Sequence, residues 1–157
     1  MPPAPVIRTA LVGCGDIAET GHLPALLAHP RFALTAVCDV RNERVELLGA
    51  RAGNVEKLND YRTLLPRGDI DAVILALHPE HSIDIAIEFL RNNKGVLDEK
   101  PLAVTLEDGR RLADVVAQSS SPYQIGFVFR YCETVRRIAK FADRIGSPAI
   151  YSVGIFD

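Results

Sequence analysis

The chain has 157 residues, 48% of them apolar and 24% charged, with a net charge of −2. A length of this order suits one domain with a real core, and the near-neutral balance argues against disorder and against nucleic acid as the main ligand. The longest apolar runs, such as Ala72–Leu77, fall far short of the ~20 residues that cross a bilayer, and Met1-Pro2-Pro3 opens no secretory signal, so a cytoplasmic chain with no membrane partner is expected.

Along the chain, Val6-Ile7 and Ala10–Val12 read as a strand that ends at glycine and leads into a helix carrying Leu23, Leu26 and Leu27. Pro24 conflicts with an unbroken helix from Ile17, which places a break near Gly21-His22 with Pro24 in the first turn of the resumed helix. Phe32–Cys38 is a second buried strand with Asp39 at its end, and Arg41–Ala52 reads as helix. Asp71–Leu77 is the third clear strand, followed by Ile83, Ala86, Ile87 and Leu90 at helical spacing and by Gly95 as the helix end. Val96–Asp98 is the next strand. Thr105–Asp108 resembles a capping box opening a helix with Leu112, Val115 and Val116 inward; Ser119–Pro122 closes it, and Tyr123–Phe127 is a further strand. A last helix carries Val135, Ile138, Ala139 and Ala142, and Gly146-Ser147-Pro148 turns the chain. Strands with continuous apolar faces alternating with helices predict an α/β fold, a doubly wound parallel sheet that binds ligands beyond its strands' carboxyl ends. Cys14, Cys38 and Cys132 are few and widely spaced, which predicts reduced thiols with packing roles.

Gly13-x-Gly15-x-x-Ala18 follows a strand, opens a helix and has Asp39 about 20 residues on, at the end of the next strand, as a dinucleotide site requires. Gly13 permits the tight turn, Gly15 lets backbone amides approach a pyrophosphate, and Ala18 takes the third position. The competing reading is a glycine turn with no ligand. Asp39 would accept hydrogen bonds from ribose hydroxyls, which favours NAD; Arg41 and Arg44 stand close enough in sequence to meet a 2'-phosphate, so NADP stays open. Lys100 follows the strand Val96–Asp98 and is a candidate proton donor to a substrate hydroxyl, the alternative being a surface lysine paired with Glu99. His78 and His81 lie in the loop after the third strand, where they would contact a cofactor or cap the helix at Pro79-Glu80; with no third ligand at suitable spacing, no metal is assigned. His22 and His29 read as ordinary polar residues.

Together, Val12–Ala18, Val37-Cys38-Asp39, Asp69–Val73, Val96–Ala103 with its Glu99-Lys100-Pro101 triplet, and Gly126–Tyr131 make the chain resemble the glucose-fructose oxidoreductase, inositol dehydrogenase and MocA family of NAD(P)-dependent oxidoreductases. That resemblance implies a Rossmann domain and hydride transfer between a nicotinamide cofactor and a hydroxyl-bearing carbon of a sugar, cyclitol or similar compound. It implies Lys100 as the catalytic residue, in a Lys100–Pro101 bond that is cis in many relatives. The implied cofactor contacts are Gly13, Gly15, Asp16, Ile17, Ala18, Asp39, Arg41, Leu77, His78, Pro79, His81, Glu99 and Lys100. One departure is Ser82 in the place of a family histidine, with His81 one residue early. By the same resemblance residues 1–146 form the dinucleotide-binding domain and 147–157 the first strand of an antiparallel substrate domain that is otherwise missing. Cofactor binding without efficient turnover is then expected, with either self-association through the exposed sheet or terminal strand or a disordered tail. A nucleotide-responsive regulator that keeps the fold without the chemistry is the competing function.

Overall fold

The computed structural model describes residues 5–145, which fall into two compact units that divide after Gly126. The first unit is built on six strands: β1 (Ile7–Val12), β2 (Phe32–Cys38), β3 (Glu56–Leu58), β4 (Ala72–Leu75), β5 (Gly95–Asp98) and β6 (Tyr123–Ile125). All neighbours are parallel and the order is β3-β2-β1-β4-β5-β6. The order reverses direction between β1 and β4, which opens a crevice at the carboxyl ends of those two strands.

The helices of this unit are α1 (Leu23–Ala28), α2 (Asn42–Ala52), α3 (Pro79–Arg91) and α4 (Leu106–Gln118). Side chains alternate between the two faces of each strand, so one sequence run feeds two cores. Leu11, Val37 and Ile74 meet Leu23 and Leu26 of α1 and Val45 and Leu48 of α2. Ala10, Val12, Val73, Leu75 and Val96 meet Ile83, Ile87 and Leu90 of α3 and Leu112 of α4. Thr35 is an extra residue between the β1 and β2 registers, and its hydroxyl donates to the Thr9 carbonyl at 3.1 Å. Thr105 caps α4 by accepting from the Asp108 amide at 3.1 Å and donating to the Asp108 carboxylate at 2.7 Å, as its spacing predicts.

Three local expectations are corrected and one strand is added. The break expected at Gly21-His22 is a widened, π-helical turn over Ala18–His22, and α1 resumes at Leu23 with Pro24 in its first turn. Widening the turn satisfies the Leu23 amide on the Ala18 carbonyl and accommodates the proline without interrupting the helical path. Gly95 opens β5 rather than ending α3, and the left-handed residue after that helix is Asn93, at φ 58°. The edge strand β3 has no counterpart in the predicted elements, because Glu56-Lys57-Leu58 is too short and too charged to read as a buried strand. Cys14 and Cys38 are buried in the cores as expected, but Cys132 is exposed.

The second unit consists, among its described residues, of a 3-10 turn at Val128–Tyr131 and a helix α5 (Glu133–Ile145), which contains the predicted Val135, Ile138, Ala139 and Ala142. The expected turn at Gly146-Ser147-Pro148 and the expected strand within 147–157 lie outside the described residues.

Candidate functional site

The carboxyl ends of β1, β2, β4 and β5 bring together most of the residues singled out in the sequence. At the end of β1 the chain turns so tightly that Gly13 sits at φ +92°, and a Cβ there would lie 2.2 Å from the Ala76 carbonyl oxygen. The Gly13 amide donates to the Cys38 carbonyl at 2.8 Å, which ties the turn to the end of β2. A Cβ on Gly15, by contrast, would meet nothing within 4 Å. Asp16 and Ile17 then open the helical path with exposed side chains, and Ala18 is fully buried against Leu11 and Leu23. The first amides of a helix have no intrahelical acceptor, so this turn presents free N–H donors and the positive end of a helix to the open space over Gly15.

Asp39 stands next to that turn. Its Oδ2 accepts from the Cys14 amide at 2.8 Å, and its Oδ1 accepts from the Arg41 amide at 2.9 Å and from Arg41 Nε at 3.4 Å. Burial pushes its pKa up, but the two amides and the Arg41 guanidinium outweigh burial and leave the carboxyl below its ordinary value. A carboxylate has about four lone-pair positions, so one on Oδ2 is left for a ligand hydroxyl while Arg41, half exposed, can turn outward. Arg44, the other candidate for a phosphate, instead faces Asp16 at 3.5 Å.

Beside Asp39 lies a cleft of about 420 Å³ whose lining includes Gly13, Val40, Tyr61, Leu77, His81 and Ile85. Of the loop residues named from the sequence, Leu77 and His81 line this cleft, whereas His78 and Pro79 are not among its lining residues. His78 is exposed at the start of α3, with Nδ1 3.9 Å from Glu80. The contribution of residues 59–62 was not read from the sequence. Asn59 donates from Nδ2 to the Asp39 carbonyl at 2.9 Å, and Asp60 accepts from the Arg62 amide at 3.0 Å to start the 3-10 turn that places Tyr61. The only signal was Asn-Asp after an apolar residue, an ordinary turn pattern.

At the end of β5, Asp98 is 1% exposed and accepts from the Ser82 hydroxyl and, at 3.0 Å, from the Tyr123 hydroxyl. Burial raises its pKa against the pull of those hydrogen bonds. Glu99 and Lys100 follow, with the Lys100–Pro101 bond cis. Glu99 Oε1 lies 2.8 Å from His22 Nε2, and Oε2 accepts from the Lys100 amide at 3.2 Å. His22 is thus no ordinary surface histidine: it joins the turn after β1 to the end of β5. His29 does fit the simpler reading, with its ring edge-on to Phe32 at 5.3 Å. Among the described residues no helix is long and apolar enough to cross a membrane.

Known proteins resemble this chain in sequence and in fold. The sequence model of the oxidoreductase family with an NAD-binding Rossmann fold matches residues 7–127. A dTDP-3,4-didehydro-2,6-dideoxy-alpha-D-glucose 3-reductase from Actinomadura kijaniata is 34% identical over 137 residues, covering 87% of this chain and 41% of that protein. An inositol 2-dehydrogenase from Salmonella typhimurium is 32% identical over 147 residues, covering 90% of this chain and 44% of that protein. A crystal structure of the 3-ketoreductase from Actinomadura kijaniata with NADP superposes at a TM-score of 0.81 and 33% identity, covering 88% of this chain and 44% of that one. The chain thus spans less than half the length of these relatives. With the glycine turn, the acidic residue after β2, the Glu-Lys-Pro end of β5 and this match in agreement, the chain belongs to the glucose-fructose oxidoreductase, inositol dehydrogenase and MocA family of oxidoreductases, built on an NAD-binding Rossmann fold.

Proposed function

We propose that this chain holds a nicotinamide dinucleotide across the β1–β4 crevice for an oxidoreductase acting on a sugar, cyclitol or similar hydroxyl compound. The observation that carries the reading is the contrast between Gly13 and Gly15, the two glycines of the turn after β1. Gly13 is demanded by the chain's own backbone, whereas the space over Gly15 is kept open by nothing in the protein and matches the close approach of a phosphate. The amides of Gly15, Asp16 and Ile17 would hold the pyrophosphate, Asp39 would accept from the adenosine ribose, and the cleft with Leu77 and His81 would take the apolar part of that nucleoside. NAD is the favoured form, because an ionised Asp39 repels a 2'-phosphate; turning Arg41 outward is the route by which NADP would be tolerated.

When bound, the nicotinamide ring accepts or supplies the hydride. Lys100 serves the other half of the chemistry: its ammonium hydrogen-bonds the substrate oxygen and moves a proton there as charge develops. Glu99 orients the Lys100 main chain, and His78 and Pro79 stand at the start of α3, after β4. On this reading residues 1–146 carry the cofactor, residues from 147 open the substrate side, and the chain works in the reducing cytoplasm, where its free thiols persist.

Titration of the purified chain with NADH and with NADPH, followed by fluorescence, tests the cofactor assignment. NADH should bind more tightly than NADPH, and Arg41→Ala should weaken NADPH more than NADH. Binding of neither nucleotide overturns the proposal.

A further inference from the structure

Glu99 and Lys100 are successive residues at the end of a strand, where a carboxylate and an ammonium are well placed to neutralise each other. They do not. Glu99 Oε1 is 2.8 Å from His22 Nε2, Oε2 accepts from the Lys100 amide at 3.2 Å, and the Glu99 side chain is only 12% exposed. Facing a carboxylate, His22 Nε2 is the donor. Gly126 closes the other side: a Cβ there would come 3.4 Å from Glu99 Oε1, so the carboxylate lies against bare backbone. Among the described residues Lys100 Nζ has no ion-pair partner, and the residue is exposed.

The origin of His22 makes the arrangement specific. It is the last residue of the π-helical turn Ala18–His22, and such widened turns recur at functional sites. Its ring crosses from the helical path that begins at the glycine turn to a residue 77 positions away, at the end of β5.

We infer that His22 is a positioning residue that sequesters the Glu99 carboxylate, so that the amine of Lys100 is presented without an internal counter-ion. The inference rests on the reading of Lys100 as the reacting amine. Its consequence is that the turn proposed to hold phosphate and the strand end proposed to hold the proton donor are tied by one hydrogen bond. Without His22 the freed carboxylate would turn to its sequence neighbour and pair with the ammonium, which shields the amine from an acylating reagent.

Competitive labelling of the whole chain with acetic anhydride at fixed pH tests this without any cofactor. Lys100 is read by mass spectrometry against the exposed Lys140, with circular dichroism confirming the fold of each variant. His22→Ala should slow labelling of Lys100 by about two- to five-fold, the range an exposed ion pair supports. His22→Gln, which can still donate to Oε1, should restore the parent rate, as should Glu99→Gln combined with His22→Ala. Glu99→Gln alone should leave the rate within roughly 1.5-fold of the parent, since the carboxylate is already engaged elsewhere. An unchanged rate in folded His22→Ala overturns the inference, and so does faster labelling in Glu99→Gln. If His22→Ala does not fold, the Glu99→Gln rate decides alone. Failure of NADH to bind while this labelling pattern holds would remove the functional reading and leave the sequestration standing.

Discussion

Gly13 and Gly15 are two residues apart and obey different masters. With φ at +92° and the Ala76 carbonyl 2.2 Å from any Cβ, Gly13→Ala should destabilise the chain by at least about 2 kcal/mol in denaturant unfolding. Gly15→Ala meets open space, so its unfolding should stay within about 1 kcal/mol of the parent while NADH affinity falls by about ten-fold or more. Equal losses of stability in the two variants would contradict the assignment of Gly15 to a ligand. These two positions and Asp39 were legible in the sequence because each reports a local demand: a turn, a close approach, an acid at a strand end. His22 was not legible, because its meaning lies in Glu99, 77 residues on, and no local pattern encodes that meeting. Tyr61 was missed for the same reason.

The carboxyl end of β5 is held by α3 through Ser82 and by β6 through Tyr123, both on Asp98. Tyr123→Phe should cost about 1–2 kcal/mol, read by thermal or denaturant unfolding, because it removes one hydroxyl from a buried acceptor. The titration of Asp98 has a definite sign. Its folded pKa is raised above the ordinary carboxylate value by burial, so its contribution to stability is complete below that ordinary value and is lost as pH rises through the raised one. The difference in Tm between Asp98→Asn and the parent should therefore grow in the variant's favour from about pH 4 upward, and a pH-independent difference would contradict it. Long apolar elements such as β2 and α3 were predictable because burial leaves a continuous apolar run in a covered strand and a helical period in a helix with one buried face. The edge strand β3 was not: Glu56-Lys57-Leu58 pairs on one side only, and its charges keep the sheet from growing at that edge. The widened turn before α1 was half legible, since Pro24 announces an irregularity but not its form.

A parallel sheet covered on both faces was legible from the alternation of strands and helices, whereas the strand order and the place of its reversal between β1 and β4 were not, because they are set by which strands meet in space. The amino ends of the strands carry a charge pattern of their own. Asp71 is held at about 2 by the Arg8 side chain and amide, and Asp69 at about 2 by the Arg67 guanidinium. Both folded values lie below the ordinary carboxylate value, so their contribution is present above about pH 4 and is lost as pH falls toward 2. Thermal unfolding should show Tm dropping through that window, less steeply in Asp71→Asn, and parallel curves would contradict the role of Arg8.

The cofactor site is tested most directly by an ¹⁵N–¹H correlation spectrum of the whole chain recorded with and without saturating NADH. The largest amide shifts should fall on Gly15, Asp16 and Ile17, on Val40 and Arg41 around Asp39, and on Lys100. Shifts gathered instead near Arg91, Asn93 and Ser119, where a separate cavity of about 330 Å³ lies, with the glycine turn silent, would contradict the assignment of the crevice to the dinucleotide.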